Sequence, residues 1–393
     1  MSKDQSLTEI EESLSVSPDV ALQPDVIRYH GLDALRALSM TMGIVLHAAL
    51  PYFFTDGFWS ADDHSKPIKA IFEFIHIWRM PVFFMLSGFL SALVISRRST
   101  VYWADHRFKR VALPLLIFWL PIALVLPQIF GYGFKGEFPG SDAIKAEIFF
   151  NPNHLWFLLH LLLFVGIVGI IRLISLATAT IFRPRIFKTP WAMFARFFVR
   201  VIYLPVPLAI IIILFFVLIP TGGELISNLA ATSIYFFLGY GLFSNKSLVE
   251  RMKSHWFYYM AFALIALAAY LWLISELGTY DPKNEKDAPL WALVIVLKAT
   301  CAILFSYGFI GLSEVKFGSD SHTWRWLSDS AYWVYLVHLP IVTMITFAMF
   351  SISIPVELKF IVSIVLTSII GVVTYKYLVR GTVVGLLLNG KRS

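Results

Sequence analysis

Residues 31–54 read GLDALRALSMTMGIVLHAALPYFF, and this stretch decides the kind of fold. It is long enough to cross a bilayer, which takes about 20 predominantly apolar residues. Within it stand Asp33, Arg36 and His47. Arg36 and His47 are eleven positions apart, about three turns and roughly 16 Å of helix, so both lie on one stripe. A fixed cation near one face of the membrane is thus joined to an imidazole deep inside it. Ionisable groups inside a bilayer are costly and by default functional. Histidine is also the side chain best suited to moving a proton near neutral pH.

The rest of the chain agrees with this start. Its 393 residues are 58% hydrophobic and only 15% charged, well below the quarter expected of a soluble domain. Mean hydropathy is +0.74. The expected fold is an all-α, polytopic membrane bundle. Residues 1–27 are polar and acidic, so they read as a disordered cytoplasmic tail without a cleavable signal peptide. Residues 28–380 form the membrane domain, and 381–393 a second cytoplasmic tail. Cys301 is the only cysteine, which leaves no intrachain disulfide and no cysteine-based metal cluster. The net charge of +7 invites a nucleic-acid reading. Its basic residues cluster in alternate loops, however, which is a topological pattern and implies no nucleic-acid partner.

Ten apolar segments are expected to cross: 31–54, 69–95, 111–130, 154–175, 199–219, 225–243, 256–275, 289–311, 328–350 and 356–378. Pro81, Pro121 and Pro340 fall inside them. Arg97, Arg98, Arg107, Lys109 and Arg110 follow the second segment; Arg172, Arg183, Arg185, Lys188, Arg196 and Arg200 follow the fourth; Lys246, Arg251 and Lys253 follow the sixth. The opposite loops are acidic or mixed, with Asp56, Asp62 and Asp63 after the first and Asp281, Glu285 and Asp287 after the seventh. The positive-inside rule then puts both termini in the cytoplasm. No internal repeat is visible.

On this topology four segments deliver polar groups to one outer-leaflet zone. Asp33 and Arg36, at i,i+3, suit an ion pair. His47 either bonds a neighbouring carbonyl or acts as a general base. His76 and Arg79 share a face of the second segment, and Arg79 needs a partner from another helix or a ligand, because Glu73 is poorly spaced for it. Ser87-Gly88 lacks the surroundings of a serine nucleophile elbow and reads as a small-residue packing site. His154 opens the fourth segment and can shape a substrate mouth. Trp156 suits an interfacial belt; His160 points elsewhere. Ser328 or Asp329 can cap the ninth helix. Tyr335 and His338 share a face, for a cross-helix hydrogen bond or a direct role. No metal or nucleotide motif is present.

Together these segments resemble the acyltransferase family 3 membrane proteins. That family shows an Arg, ten residues, then a His in its first helix, as Arg36 and His47 do. It shows an R-M-P-x-F-F-x-x-S-G block, matched by Arg79–Gly88, and a late Y-L-x-H, matched by Tyr335–His338. The likeness is greatest to the glucan-modifying members, on F-I-H-x-x-R-M-x-V-F-F-x-x-S-G at 74–88, H-L-W-F-L-L at 154–159 and R-V-x-x-P at 110–114. It covers roughly residues 28–380 in length and layout.

The resemblance implies an inner-membrane enzyme transferring groups other than amino-acyl groups. It would move an acyl group, succinyl by preference and acetyl as the alternative, from cytoplasmic acyl-CoA to a hydroxyl of a periplasmic glucan or other extracytoplasmic glycan. Acyl-CoA is the donor substrate, and no cofactor is held permanently. Membrane lipid surrounds the enzyme, and the glycan synthesis machinery is a candidate partner. The family often carries an additional soluble domain; this sequence shows none, so the membrane domain is expected to do the transfer itself.

In this reading His47 takes the acceptor proton, which requires a neutral imidazole. Arg79 and His76 stabilise the oxyanion or hold a succinyl carboxylate. Arg36 and the basic inner residues meet the CoA phosphates, and Asp33, His154, Trp156, Tyr335 and His338 complete the substrate sites. Two other classes stay open. A proton-coupled glycan exporter or flippase also needs mid-membrane His and Arg, but predicts glycan movement without modification. A scaffold for a glycan synthase predicts that His47 and Arg79 are replaceable.

Overall fold

A computed structural model describes residues 29–53, 59–61, 63–140, 151–181, 201–203, 207–225, 227–276 and 287–389. The expected tail 1–27 and the acidic residues Asp56, Asp62, Asp281 and Glu285 lie outside them, as do Arg183, Arg185, Lys188, Arg196 and Arg200. The described residues form helices α1 (His30–Ala49), α2 (Lys66–Arg97), α3 (Thr100–Arg107), α4 (Leu113–Lys135), α5 (Trp156–Ile181), α6 (Leu208–Leu218), α7 (Leu229–Phe243), α8 (Lys246–Glu276), α9 (Ala288–Lys316), α10 (His322–Phe350), α11 (Val356–Thr374) and α12 (Val383–Asn389). Among them, eight stretches are long and apolar enough to cross a membrane.

Two of the ten expected spans are shorter helices. Leu208–Leu218 with its 3₁₀ extension to Thr221, and Leu229–Phe243, are 10–17 residues long. At 1.5 Å per residue each reaches only about 22 Å, short of a 30 Å hydrocarbon core. Local chemistry sets these lengths. Gly222 and Gly223, at φ 68° and 76°, end the first of the pair. Asn228 starts the second by accepting hydrogen bonds from Ala230 N and Ala231 N. They occur consecutively, so the up–down order of the later helices is the same whether this pair crosses or turns back.

Two further boundaries differ from the sequence reading. The third span begins at Thr100, and Arg107, Lys109 and Arg110 belong to a helix that passes through a π turn at Phe108–Ala112. Ser99 caps it by accepting from Tyr102 N. The ninth begins at His322, because Ser321 is its cap; Ser328 instead donates to Asp33 O at 3.1 Å. Residues expected as a C-terminal tail include α12, whose Leu388 is buried.

The centre of the bundle is α1 and α2. Of their apolar stretches 61% and 78% is buried, against 28–44% for the other six, which leave broad apolar faces for lipid. α1 packs on α2, α9 and α10, and α2 on α7 and α9. The α2–α7 contact is a small-residue crossing. A Cβ on Gly88 would stand 1.9 Å from Phe236 O, and one on Gly239 1.8 Å from Met85 O, so both backbones touch where only glycine fits. The start of α1 has no cap of its own; Glu314 at the end of α9 accepts from Leu32 N at 2.9 Å, satisfying an otherwise orphaned donor. At the opposite end Ser65, the cap of α2, donates to Glu357 at 2.7 Å, and Lys359 pairs with Asp63 at 3.2 Å. The first connection is thereby tied to the start of α11.

Candidate functional site

A cavity of about 260 Å³ opens among α1, α2, α5 and α10, lined by His47, His76, Arg79, His154, Trp156, Phe157 and Tyr335 with apolar neighbours. Each polar group arrives for a local reason. His47 is in the last turn of α1. His76 and Arg79 share a face of α2, as their spacing requires. His154 sits in a 3₁₀ turn, Asn153–Leu155, that starts before α5. That turn is made by Asn153 at φ 48°, a left-handed conformation that asparagine tolerates, and Asn151 Oδ1 accepts its N–H at 2.9 Å.

Behind this cavity three imidazoles meet. The ring of His338 is 5.2 Å from that of His47 and 5.1 Å from that of His154. His338 Nδ1 donates to Tyr335 O at 2.6 Å, and His154 Nε2 donates to Leu336 O at 3.2 Å. A carbonyl only accepts, so these bonds fix both tautomers. They leave His338 Nε2 and His154 Nδ1 buried without a partner, as His47 Nδ1 and His76 Nδ1 also are. Tyr335 donates its hydroxyl to His154 O, so it is a structural strut as well as cavity wall.

Arg79 is 8% exposed and its Nε has no partner. Among the described residues it forms no ion pair; Glu73 instead accepts from Tyr270 OH at 2.8 Å. A Cβ on Gly43 would meet Arg79 Nη1 at 2.7 Å and His338 Nε2 at 3.1 Å. The missing side chain at Gly43, one turn before His47, is what lets the guanidinium and the third imidazole converge. Among the described residues, the charged or chargeable groups that act on His47 are His338, Arg79, His154 and His76, with no carboxylate. Among the described residues no group of His, Cys, Asp and Glu is arranged to hold a metal ion.

A second cavity, about 290 Å³, lies at the other end of the same helices. Arg36, His106, Arg107, Arg110, Ser328, Asp329 and Tyr332 line it, with Leu388 and Asn389 of α12. Arg107 Nε and Nη2 are buried and without a partner. Arg110 donates to the Asn389 carbonyl, and Asn389 Nδ2 donates to Tyr375 OH at 2.9 Å. Arg36 is paired with Asp33 at 3.4 Å. Between the two cavities is a space of only about 10 Å³, lined by Ser39, Met40, Arg79, Met80, Phe83, Phe157 and Tyr335.

Of the expected site residues, His47, His76, Arg79, His154, Trp156 and Tyr335 line one cavity, and His338 backs it through its contacts with His47 and His154. Arg36 lies apart, in the second cavity, and Asp33 reaches neither; it lines a crevice with Ser328. The sequence reading did not single out Gly43 or Tyr332, and it counted Arg107 only among the basic inner residues. The R-x-x-R spacing at Arg107 and Arg110 was the available signal for the second cavity.

The family model described as an acyltransferase domain matches residues 29–376. Among curated proteins, "Glucans biosynthesis protein C" of Escherichia coli strain K12 and its counterpart from Shigella dysenteriae serotype 1 are each 32% identical over 139 residues. The match takes in 34% of this chain and 36% of the relative, so the chain spans about a third of the length of these relatives. No solved structure matches. A helical bundle of this kind is the architecture of inner membranes, whereas outer membranes hold closed barrels. The chain is a multi-pass inner-membrane protein.

Proposed function

The chain belongs to the acyltransferase domain family, and from that premise we propose that it carries a short acyl group from cytoplasmic acyl-CoA to a hydroxyl of a periplasmic glucan. That it is a membrane acyltransferase follows from the family; donor, acyl group, acceptor and the roles of single residues are the proposal. The observation that carries it is the pair of cavities at opposite ends of α1 and α2, one arginine-rich and one histidine-rich, which share Phe157 and are joined through the narrow space beside Arg79 and Tyr335. A donor held on one side and an acceptor from the other require such a passage. We take ten crossings with both termini in the cytoplasm, which puts the arginine cavity inside.

In the proposed reaction Arg36, Arg107 and Arg110 hold the CoA phosphates electrostatically. The acceptor hydroxyl enters the outer cavity past Trp156. Its oxygen attacks the thioester carbonyl, forming the ester C–O bond and breaking the C–S bond. His47 takes the hydroxyl proton and returns it to the departing thiolate, giving free CoA. Arg79 faces the acyl group, and succinyl is favoured because its free carboxylate supplies the anion that Arg79 lacks. The relatives' name supports glucan as acceptor.

Mass spectrometry of periplasmic glycans tests this, comparing cells with the gene, without it and complemented. Ester-linked acyl groups should vanish on deletion and return with the wild-type gene, their mass naming the group. Unmodified glycans that disappear from the periplasm and accumulate inside would make the protein an exporter. Gly43→Ala offers a finer check. Its methyl displaces the flexible end of Arg79 and the His338 ring, so the fold should melt normally while transfer drops about 10- to 100-fold, the range expected when a reacting geometry moves by an ångström. Unchanged transfer would mean that the position of Arg79 over Gly43 is immaterial.

A further inference from the structure

Phe157 lines both cavities and the constriction between them. Met40 and Phe83 are shared by the constriction and the inner cavity, and Met80 by the constriction and the outer one. The three spaces are therefore one interrupted path. The interruption holds about 10 Å³, the limit for a single water, and its lining is of two kinds. Phe83 and Phe157 meet edge to face at 4.9 Å, and Phe157 is backed edge to face by Tyr335 at 4.6 Å. Tyr335 is in turn bonded to the His154 carbonyl, which braces this aromatic part. Ser39, Arg79, Met40 and Met80 complete the lining, and the two methionines are unbranched side chains that move at small cost.

We propose that this neck selects the acyl group by width: Met40 and Met80 swing aside for a slender unbranched chain and the thioester arm behind it, and the Phe83–Phe157 pair bars branched or ring-bearing groups from reaching His47. The inference rests on the acyl-transfer reading above and adds to it the residues that set specificity. The closed neck also keeps water from joining the two sides of the membrane between turnovers.

The test uses the purified full chain in lipid nanodiscs with a β-glucan oligosaccharide acceptor. Acetyl-, butyryl-, succinyl-, isobutyryl- and benzoyl-CoA are supplied singly, and ester products are weighed by mass spectrometry. Phe83→Ala and Met40→Ala should each raise the isobutyryl-to-butyryl and benzoyl-to-butyryl ratios at least tenfold over wild type. Met40→Phe should lower the isobutyryl-to-butyryl ratio at least threefold. Ratios unchanged in the folded variants would overturn the proposal. If one variant fails to fold, the remaining widening and narrowing changes still decide. No ester from wild type with any donor would refute the transfer reading, and the neck's role with it.

Discussion

His47→Ala is expected to lower acyl transfer by about 100- to 10,000-fold, the usual worth of a positioned general base. The side chain is half-buried against a cavity, and its Nδ1 has no hydrogen bond to lose. Its removal enlarges a space that already exists, so the variant should insert and melt close to wild type. This separates chemistry from folding, which few buried histidines allow. His338, with its ring 5.2 Å away, is the group best placed to give residual activity, so the double variant His47→Ala, His338→Ala should fall lower still. The measurement is single-turnover ester formation with matched amounts of folded protein. Full transfer by His47→Ala would end its assignment as base.

How much of this was legible in the chain depends on what each feature leaves in the sequence. Rare ionisable residues in apolar runs are conspicuous, so His47, Arg79, His154 and His338 could be seen from spacing and hydropathy alone. Arg107 and Arg110 were read as loop because Thr100–Ala112 mixes charge with apolar residues; the Ser99 cap and the π turn that make it helical depend on backbone hydrogen bonds. The neck was hidden for the opposite reason. Met40, Met80, Phe83 and Phe157 are ordinary core residues by type, and only their placement between two cavities distinguishes them. Gly43 likewise reads as a packing glycine until the groups that fill its space are known. Hydropathy also gave no sign that the helices of the fifth and sixth segments are short, since apolar character continues across residues 199–243 while Gly222, Gly223 and Asn228 cut the helices there.

Arg79→Met is expected to reduce succinyl transfer about 100- to 1,000-fold, the cost typical of truncating one partner of a buried charge pair. The fold should not suffer. A buried cation with no carboxylate beside it among the described residues carries a desolvation cost that nothing repays, and an apolar side chain of similar volume removes that cost. Melting should therefore hold or rise while activity falls, the trade expected where a site is built for function at the expense of stability. Comparing donors then separates two roles. If Arg79 holds the acyl carboxylate, as proposed, the loss falls on succinyl: the succinyl-to-acetyl ratio drops at least tenfold, chiefly through KM. If Arg79 stabilises the oxyanion, both donors lose equally and through kcat, because both pass through the same tetrahedral carbon. Arg79→Lys sharpens the distinction, since lysine keeps the charge but not the planar fork. Partial rescue of succinyl by lysine would fit charge pairing with a mobile carboxylate. A variant that melts lower and loses both donors alike would make Arg79 a structural residue and leave the succinyl preference without a physical cause.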